Sequence, residues 1–147
     1  MTYKKFESNQ GWLSMDYPSI WSQYEEDEGT YLFMDDDNWK GNFRITPLKI
    51  AGNDEDSINL RLKKYVDEEI INNKGAQLVK IGQFEVAHYS KTTVQDNQSL
   101  TMLYWIFGYN QIIITATFTI DSDRLNNIDV KKEIELCLKS IETLRIN

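Results

Sequence analysis

The stretch Met102-Leu103-Tyr104-Trp105-Ile106-Phe107-Gly108-Tyr109-Asn110-Gln111-Ile112-Ile113-Ile114 decides the fold of this chain. Its first six residues are apolar without alternation, which is typical of a strand that is covered on both faces. Gly108-Tyr109-Asn110 supplies turn residues, and a second apolar run follows directly. The stretch therefore predicts a hairpin of antiparallel strands, from Ser99 to Phe107 and from Gln111 to Ile120, in the middle of a sheet.

The second strand of this hairpin has two unlike faces. One face is apolar throughout, and the other begins with Ile113 and continues with Thr115, Thr117 and Thr119. Because side chains alternate along a strand, the threonine face is expected to be half wet or only lightly covered.

Shorter strands are predicted in the rest of the chain. Gly82-Gln83 is a hairpin turn between the predicted strands Ala76 to Ile81 and Phe84 to Thr93. The first half contains four more predicted strands: Trp12 to Tyr17, Ile20 to Glu25, Thr30 to Met34 and Asn42 to Ala51. Proline cannot donate to a ladder, so Pro47 places the last of these at a sheet edge or at a bulge.

Two amphipathic helices interrupt the strands. Apolar residues recur every three or four positions from Asp54 to Asn73, with Asp54 or Asp56 as a cap and Gly75 as a stop. A second helix from about Asn126 to Leu144 has the apolar stripe Val130, Ile134, Leu138 and Ile141. Strands, helix, strands and helix predict one α+β domain over residues 1–147, with a mostly antiparallel sheet and helices packed on it.

Composition limits the classes of partner. The formal net charge is -7, so the surface repels nucleic acid and anionic membranes and favours a basic protein partner. The alternative is that the acidic runs only keep the protein soluble. The one cysteine excludes an internal disulfide, and no apolar stretch has the length of a membrane span or the position of a signal peptide. A cytoplasmic protein is expected.

Several segments carry a resemblance to a known family. They are the turn Tyr17-Pro18-Ser19-Ile20-Trp21, the strand Gly41-Asn42-Phe43-Arg44-Ile45, the middle helix, the two late hairpins and the closing helix with Leu138-Lys139-Ser140-Ile141. In this order the chain resembles the PsbP-like fold, named for an extrinsic protein of photosystem II. It is most similar to the small uncharacterised bacterial cytosolic domains of that superfamily. The resemblance implies a PsbP-like sandwich that binds other proteins, and no functional residues are carried over from it.

The candidate contact site is the acidic segment Asp35, Asp36, Asp37, Asn38 and Trp39. Tryptophan is enriched at binding hot spots, and Trp39 has no alternating neighbours that would place it in a strand. The spacing does not fit a Ca²⁺ loop, because Lys40 and Thr46 occupy the positions of the required glycine and glutamate. No metal and no cofactor are therefore expected.

Two other residues with reactive side chains, His88 and Cys137, are expected to have structural roles only. His88 is expected to be a hydrogen-bonded strand histidine near the core, and Cys137 a small buried hydrophobe. No motif of a known enzyme class is found, so no catalytic residue is assigned.

Three functions are consistent with these patterns. The first is a non-catalytic protein-binding module, of which an immunity or adaptor protein for a basic partner is the specific case. The second is a small-molecule or lipid carrier with a pocket between sheet and helix. The third is an enzyme without a recognisable motif that uses His88 and a carboxylate. The oligomeric state stays open.

Overall fold

Ten strands, two α-helices and two short 3-10 helices form the chain, and the computed structural model describes all of residues 1–147. The strands are β1 (Tyr3–Glu7), β2 (Leu13–Pro18), β3 (Ser22–Glu26), β4 (Thr30–Met34), β5 (Asn42–Lys49), β6 (Gln77–Ile81), β7 (Phe84–Gln95), β8 (Gln98–Tyr109), β9 (Ile112–Asp121) and β10 (Arg145–Ile146). The helices are α1 (Glu55–Asn72) and α2 (Ile128–Glu142).

Two antiparallel sheets organise the molecule. Seven strands form the large sheet in the order β3-β4-β5-β9-β8-β7-β6, and three form the small sheet in the order β1-β2-β10. The predicted α+β class and both late hairpins are confirmed, and β8 lies between β7 and β9 as its apolar run requires. β1 was not predicted, because Phe6 is its only buried residue and the strand has no alternation to read.

The two faces of the large sheet are covered differently. The first face holds the main core, which includes Phe33, Phe107 and Phe118, and packs against α2 and the small sheet. α1 packs on the second face through Ile58, Leu62 and Val66, over β7, β8 and part of β9.

The position of β5 in the sheet differs from the one predicted from Pro47. β5 is an interior strand between β4 and β9, so its prediction as an edge or bulged strand is wrong. β4 pairs only with Phe43 to Ile45 of β5, so Pro47 lies beyond the end of β4 and has only β9 beside it. A residue with one neighbouring strand can lack an N–H without leaving a partner unsatisfied.

The buried residues of α2 differ from the apolar stripe predicted from the sequence. On α2 the buried residues are Val130, Glu133, Cys137, Ser140 and Ile141, so the stripe is turned away from the predicted Ile134 and Leu138, which are half-buried.

The two helices differ in how they begin. Asn127 caps α2, because its side chain accepts hydrogen bonds from the N–H groups of the first turn. Asp54 occupies the cap position of α1, but its side chain makes no capping bond. Neither helix is long and apolar enough to cross a membrane.

Candidate functional site

The acidic loop Asp35–Trp39 connects β4 to β5, and its first residue points inward. The side chain of Asp35 is buried, and the residue is only 7% exposed. Its Oδ1 accepts from the backbone N–H groups of Asp37 and Asn38, each at 3.1 Å. A carboxylate that satisfies two successive N–H groups fixes the turn. Asp35 therefore shapes the acidic loop and does not face a partner.

A charged cluster lies beneath the acidic loop. Lys40 Nζ lies 3.2 Å from Oδ2 of Asp35 and 2.8 Å from the carbonyl oxygen of Asn38. Glu133 of α2 is 2% exposed, and neither carboxyl oxygen has a hydrogen-bond partner. Burial raises the pKa of Glu133 above its usual range, and the nearby Lys40 ammonium opposes that rise. The indole of Trp21 faces this carboxyl, but its Nε1 does not reach hydrogen-bonding geometry and is also unpartnered.

The rest of the acidic loop is exposed. Asp36 accepts a hydrogen bond from the Tyr24 hydroxyl, which lowers the pKa of the Asp36 carboxyl. The Trp39 Nε1–H donates to Oδ1 of Asn42 at 2.8 Å, and the Arg124 guanidinium lies 5.9 Å from the Trp39 ring centroid. Trp39 is 38% exposed even though both interactions hold it in place. The structure thus presents one fixed indole beside two exposed carboxylates, Asp36 and Asp37.

A second region of interest is the part of the second sheet face that α1 leaves uncovered, which we call the open face. Its residues follow two rows across the strands: Leu32, Arg44, Thr117 and Tyr104 in one row, and Asn42, Thr119, Met102 and Lys91 in the next. These rows include Thr117 and Thr119 of the threonine face that was predicted to be lightly covered, although Thr117 and Leu32 are themselves buried. Asn42 adjoins both regions, since it belongs to the open face and accepts from Trp39 of the acidic loop.

The two reactive residues singled out in the sequence lie elsewhere. The Nδ1 of His88 is 2.9 Å from the carbonyl oxygen of Tyr104, and the imidazole stacks on the Trp105 ring at 5.3 Å. No carboxylate is bonded to His88. Cys137 is fully buried, and burial raises the pKa of its thiol well above the usual range. Both residues match their ordinary interpretations. No group of three or more His, Cys, Asp and Glu side chains is arranged to hold a metal ion.

One family description matches nearly the whole chain. The match covers residues 1–145 and is to a domain of unknown function, DUF3805. The chain belongs to the DUF3805 family. No curated protein matches the DUF3805 chain at a significant level.

Solved structures extend the comparison to the fold. A crystal structure from Bacteroides thetaiotaomicron is 32% identical with a TM-score of 0.81; it covers 100% of the DUF3805 chain, which spans only 49% of that longer chain. LpqN of Mycobacterium tuberculosis, described as involved in cell envelope biogenesis, has a TM-score of 0.54 and 10% identity over 99% of this chain and 91% of its own. Cyanobacterial PsbP from Synechocystis has a TM-score of 0.47 and 12% identity over 99% and 93%. The predicted α+β fold is confirmed, and LpqN shares it.

Sequence patterns missed two parts of this DUF3805 site. Glu133 lies among apolar residues of α2, where an apolar-spacing rule reads a charged residue as exposed. Lys91 on β7 and Arg44 on β5 lie on the same sheet face, with β8 and β9 between their strands. Their shared position depends on the strand order, which the sequence pattern does not reveal. The alternation of Thr115, Thr117 and Thr119 was the one signal that pointed to the open face.

Proposed function

We propose that this DUF3805 domain is a non-catalytic protein-binding module that docks a basic partner through Asp36, Asp37, Asn38 and Trp39. An immunity or adaptor protein is the specific case. The observation that carries the proposal is the geometry of Trp39, which is exposed and yet held by Asn42 on one side and Arg124 on the other.

Rigidity of the acidic loop supports this role. The Asp35 carboxylate accepts hydrogen bonds from the backbone N–H groups of Asp37 and Asn38, and Lys40 donates to the other oxygen of Asp35. A loop that is already ordered loses little conformational entropy when it binds, so more of its contact energy appears as affinity. A fixed indole with a polar rim has the character of a binding hot spot.

The negative charge of the acidic loop and of the whole chain supports the choice of a basic partner. Asp36 and Asp37 are exposed and make no salt bridge, and the chain as a whole carries a net charge of -7. A field of this sign speeds the approach of a cationic surface, and added salt screens it. Tryptophan then supplies contact energy that salt does not screen.

Retention of proteins from the native cell tests the proposal. The wild-type chain is compared with the triple variant Asp36→Asn, Asp37→Asn, Trp39→Ala. A matched control variant, Glu55→Gln with Asp56→Asn, removes two exposed carboxylates at the start of α1 instead. We expect a stoichiometric partner that is retained by the wild type and the control, is lost from the triple variant and is released as salt rises. A partner retained equally by the triple variant would overturn the assignment of the acidic loop.

A further inference from the structure

A cavity of about 330 Å³ opens on the open face, and Asn42, which lines it, is also the hydrogen-bond partner of Trp39. It lies where β5, β9, β8 and β7 run side by side. Its size is at the lower end of the range for pockets that hold small ligands. The lining residues are Asn42, Arg44, Lys91, Thr93, Gln95, Leu100, Met102, Tyr104 and Thr119.

The charge of this cavity is opposite to that of the molecule. Its lining contains Arg44 and Lys91 and no acidic residue, in a chain with 23 Asp and Glu against 16 Lys and Arg. Arg44 is already neutralised by Glu26, which accepts from its Nε at 2.7 Å and its Nη2 at 3.3 Å. Lys91 forms no ion pair in the structure. The cavity therefore offers one uncompensated positive charge.

Two stacked tyrosines position Lys91. Its Nζ lies 5.7 Å from the ring centroid of Tyr89 and 5.6 Å from that of Tyr104, and the two rings stack at 4.7 Å. Burial and the Glu69 carboxylate raise the pKa of both phenols, so both rings stay neutral and keep the electron-rich faces that attract a cation. Such contacts orient the ammonium but leave its hydrogen-bond donors free.

A hydroxyl in the same lining has no partner. The Oγ1 of Thr119 is buried from solvent and makes no hydrogen bond. Because this oxygen has almost no accessible surface, it lies behind the cavity wall and offers no hydrogen bond to an occupant. Leu100 and Met102 supply an apolar wall on β8.

We infer that this cavity binds a small monoanionic carboxylate with a short apolar body. The Lys91 ammonium binds the carboxylate, and the apolar body packs on Leu100, Met102 and Tyr104. One uncompensated cation matches one negative charge, which favours a carboxylate over a doubly charged phosphate. This inference is independent of the acidic loop, so it can fail while the proposed function stands, and the reverse also holds.

Titration with hexanoate, followed by amide NMR of the full chain, tests the inference. Hexanamide has the same body without the charge, and inorganic phosphate has charge without the body. We expect hexanoate to give saturable shifts at Leu100, Met102 and Thr119, with hexanamide and phosphate at least about tenfold weaker, the factor that one charge-assisted hydrogen bond supplies.

Variants test whether the Lys91 ammonium binds the carboxylate. Lys91→Met keeps the apolar stem and should weaken hexanoate binding about tenfold or more, whereas Lys131→Met on exposed α2 should leave it unchanged. Thr119→Val removes only a hydroxyl that does not face the cavity and should leave hexanoate binding unchanged. Unshifted amides in the remainder of each variant show that it is folded. Absence of saturable shifts at millimolar hexanoate, equal binding of hexanamide, or full affinity in Lys91→Met would each overturn the inference.

Discussion

Lys40 and Asp35 form an ion pair of 3.2 Å at the base of the acidic loop, with side chains only 13% and 10% exposed. The pair joins the two ends of the acidic loop, because Asp35 follows β4 and Lys40 precedes β5. A pair at this depth is screened little by solvent, and loss of one charge leaves the other buried without its partner.

We therefore expect Asp35→Asn to lower the free energy of unfolding by about 2–4 kcal/mol. The amide oxygen still accepts from the backbone, so the change isolates the charge. The matched control is Asp37→Asn in the same loop, which is exposed and should shift stability by less than about 0.5 kcal/mol. Urea unfolding measures both variants, and equal midpoints for the two would show that the ion pair does not hold the acidic loop.

Glu133 makes stability depend on pH in the opposite sense to an ion-paired carboxylate. Burial raises its pKa in the folded chain above the ordinary value of 4.5, while the carboxyl of the unfolded chain keeps that value. Between the two pKa values the folded state holds the proton and the unfolded state has released it. Stability from this group is therefore complete below the unfolded pKa and falls as the pH rises towards the folded pKa.

Glu133→Gln should remove that decline. The charged groups that face Glu133 are Lys40 and Asp35, and they are unchanged in the variant. We expect the wild type to lose stability relative to Glu133→Gln as the pH rises from 4.5 towards the raised folded pKa, measured by thermal unfolding. The exposed neighbour Lys132→Gln serves as a control for a change on α2. A constant difference between wild type and Glu133→Gln across this range would contradict the prediction.

Gly41 has the least tolerance for a side chain. Its φ is +129°, and a Cβ placed there would lie 2.2 Å from Cζ of Phe118 in the core. Gly41→Ala should therefore cost about 3 kcal/mol or more, since it combines backbone strain with a steric clash. Gly11 also has positive φ, but a Cβ there meets nothing within 4 Å, so Gly11→Ala should cost about 1–2 kcal/mol. Similar losses for the two variants in denaturant unfolding would show that Phe118 moves aside.

Trp39 should dominate quenching of the intrinsic fluorescence. Trp21 and Trp105 are almost fully buried, and Trp12 is partly covered. Acrylamide reaches exposed indoles first, so Trp39→Phe should remove most of the quenchable signal, whereas Trp21→Phe should leave it. If quenching persists in Trp39→Phe, the indole is not presented at the surface in solution.

The sequence predicted those elements whose pattern is local. Met102 to Phe107 is apolar without alternation, and it forms a central strand whose second half, Trp105 to Phe107, is buried on both faces. Met102 and Tyr104 are half-buried because they lie on the open face. β1 was missed because a strand with Phe6 as its only buried residue has no period. The burial of Glu133 was not predicted, because apolar spacing along a helix identifies buried apolar residues and assigns a carboxyl to the exposed side.

The open face was only partly predictable for a different reason. Its exposure depends on the direction in which α1 crosses the sheet, and Leu62 and Val66 place the helix over β7 and β8 but not over β5. That direction results from three-dimensional packing and leaves no mark on the helical pattern. Trp39 was predicted as a loop residue because charged and polar neighbours flank it, whereas the inward turn of Asp35 needed the atomic structure.

The pairing of β5 with β9 also has a kinetic consequence. β6, β7, β8 and β9 follow one another through short turns, so their pairing closes small loops, whereas β5 must find β9 across α1 and the three intervening strands. Non-local pairing carries a larger entropic barrier and slows folding. Closure of the seam between Phe43 and Phe118 is then one of the slow steps of folding, together with the pairing of β2 with β10. Asn42 and Arg44 belong to that seam, so the cavity on the open face is completed only when the seam closes, and an occupant of the cavity would slow its reopening.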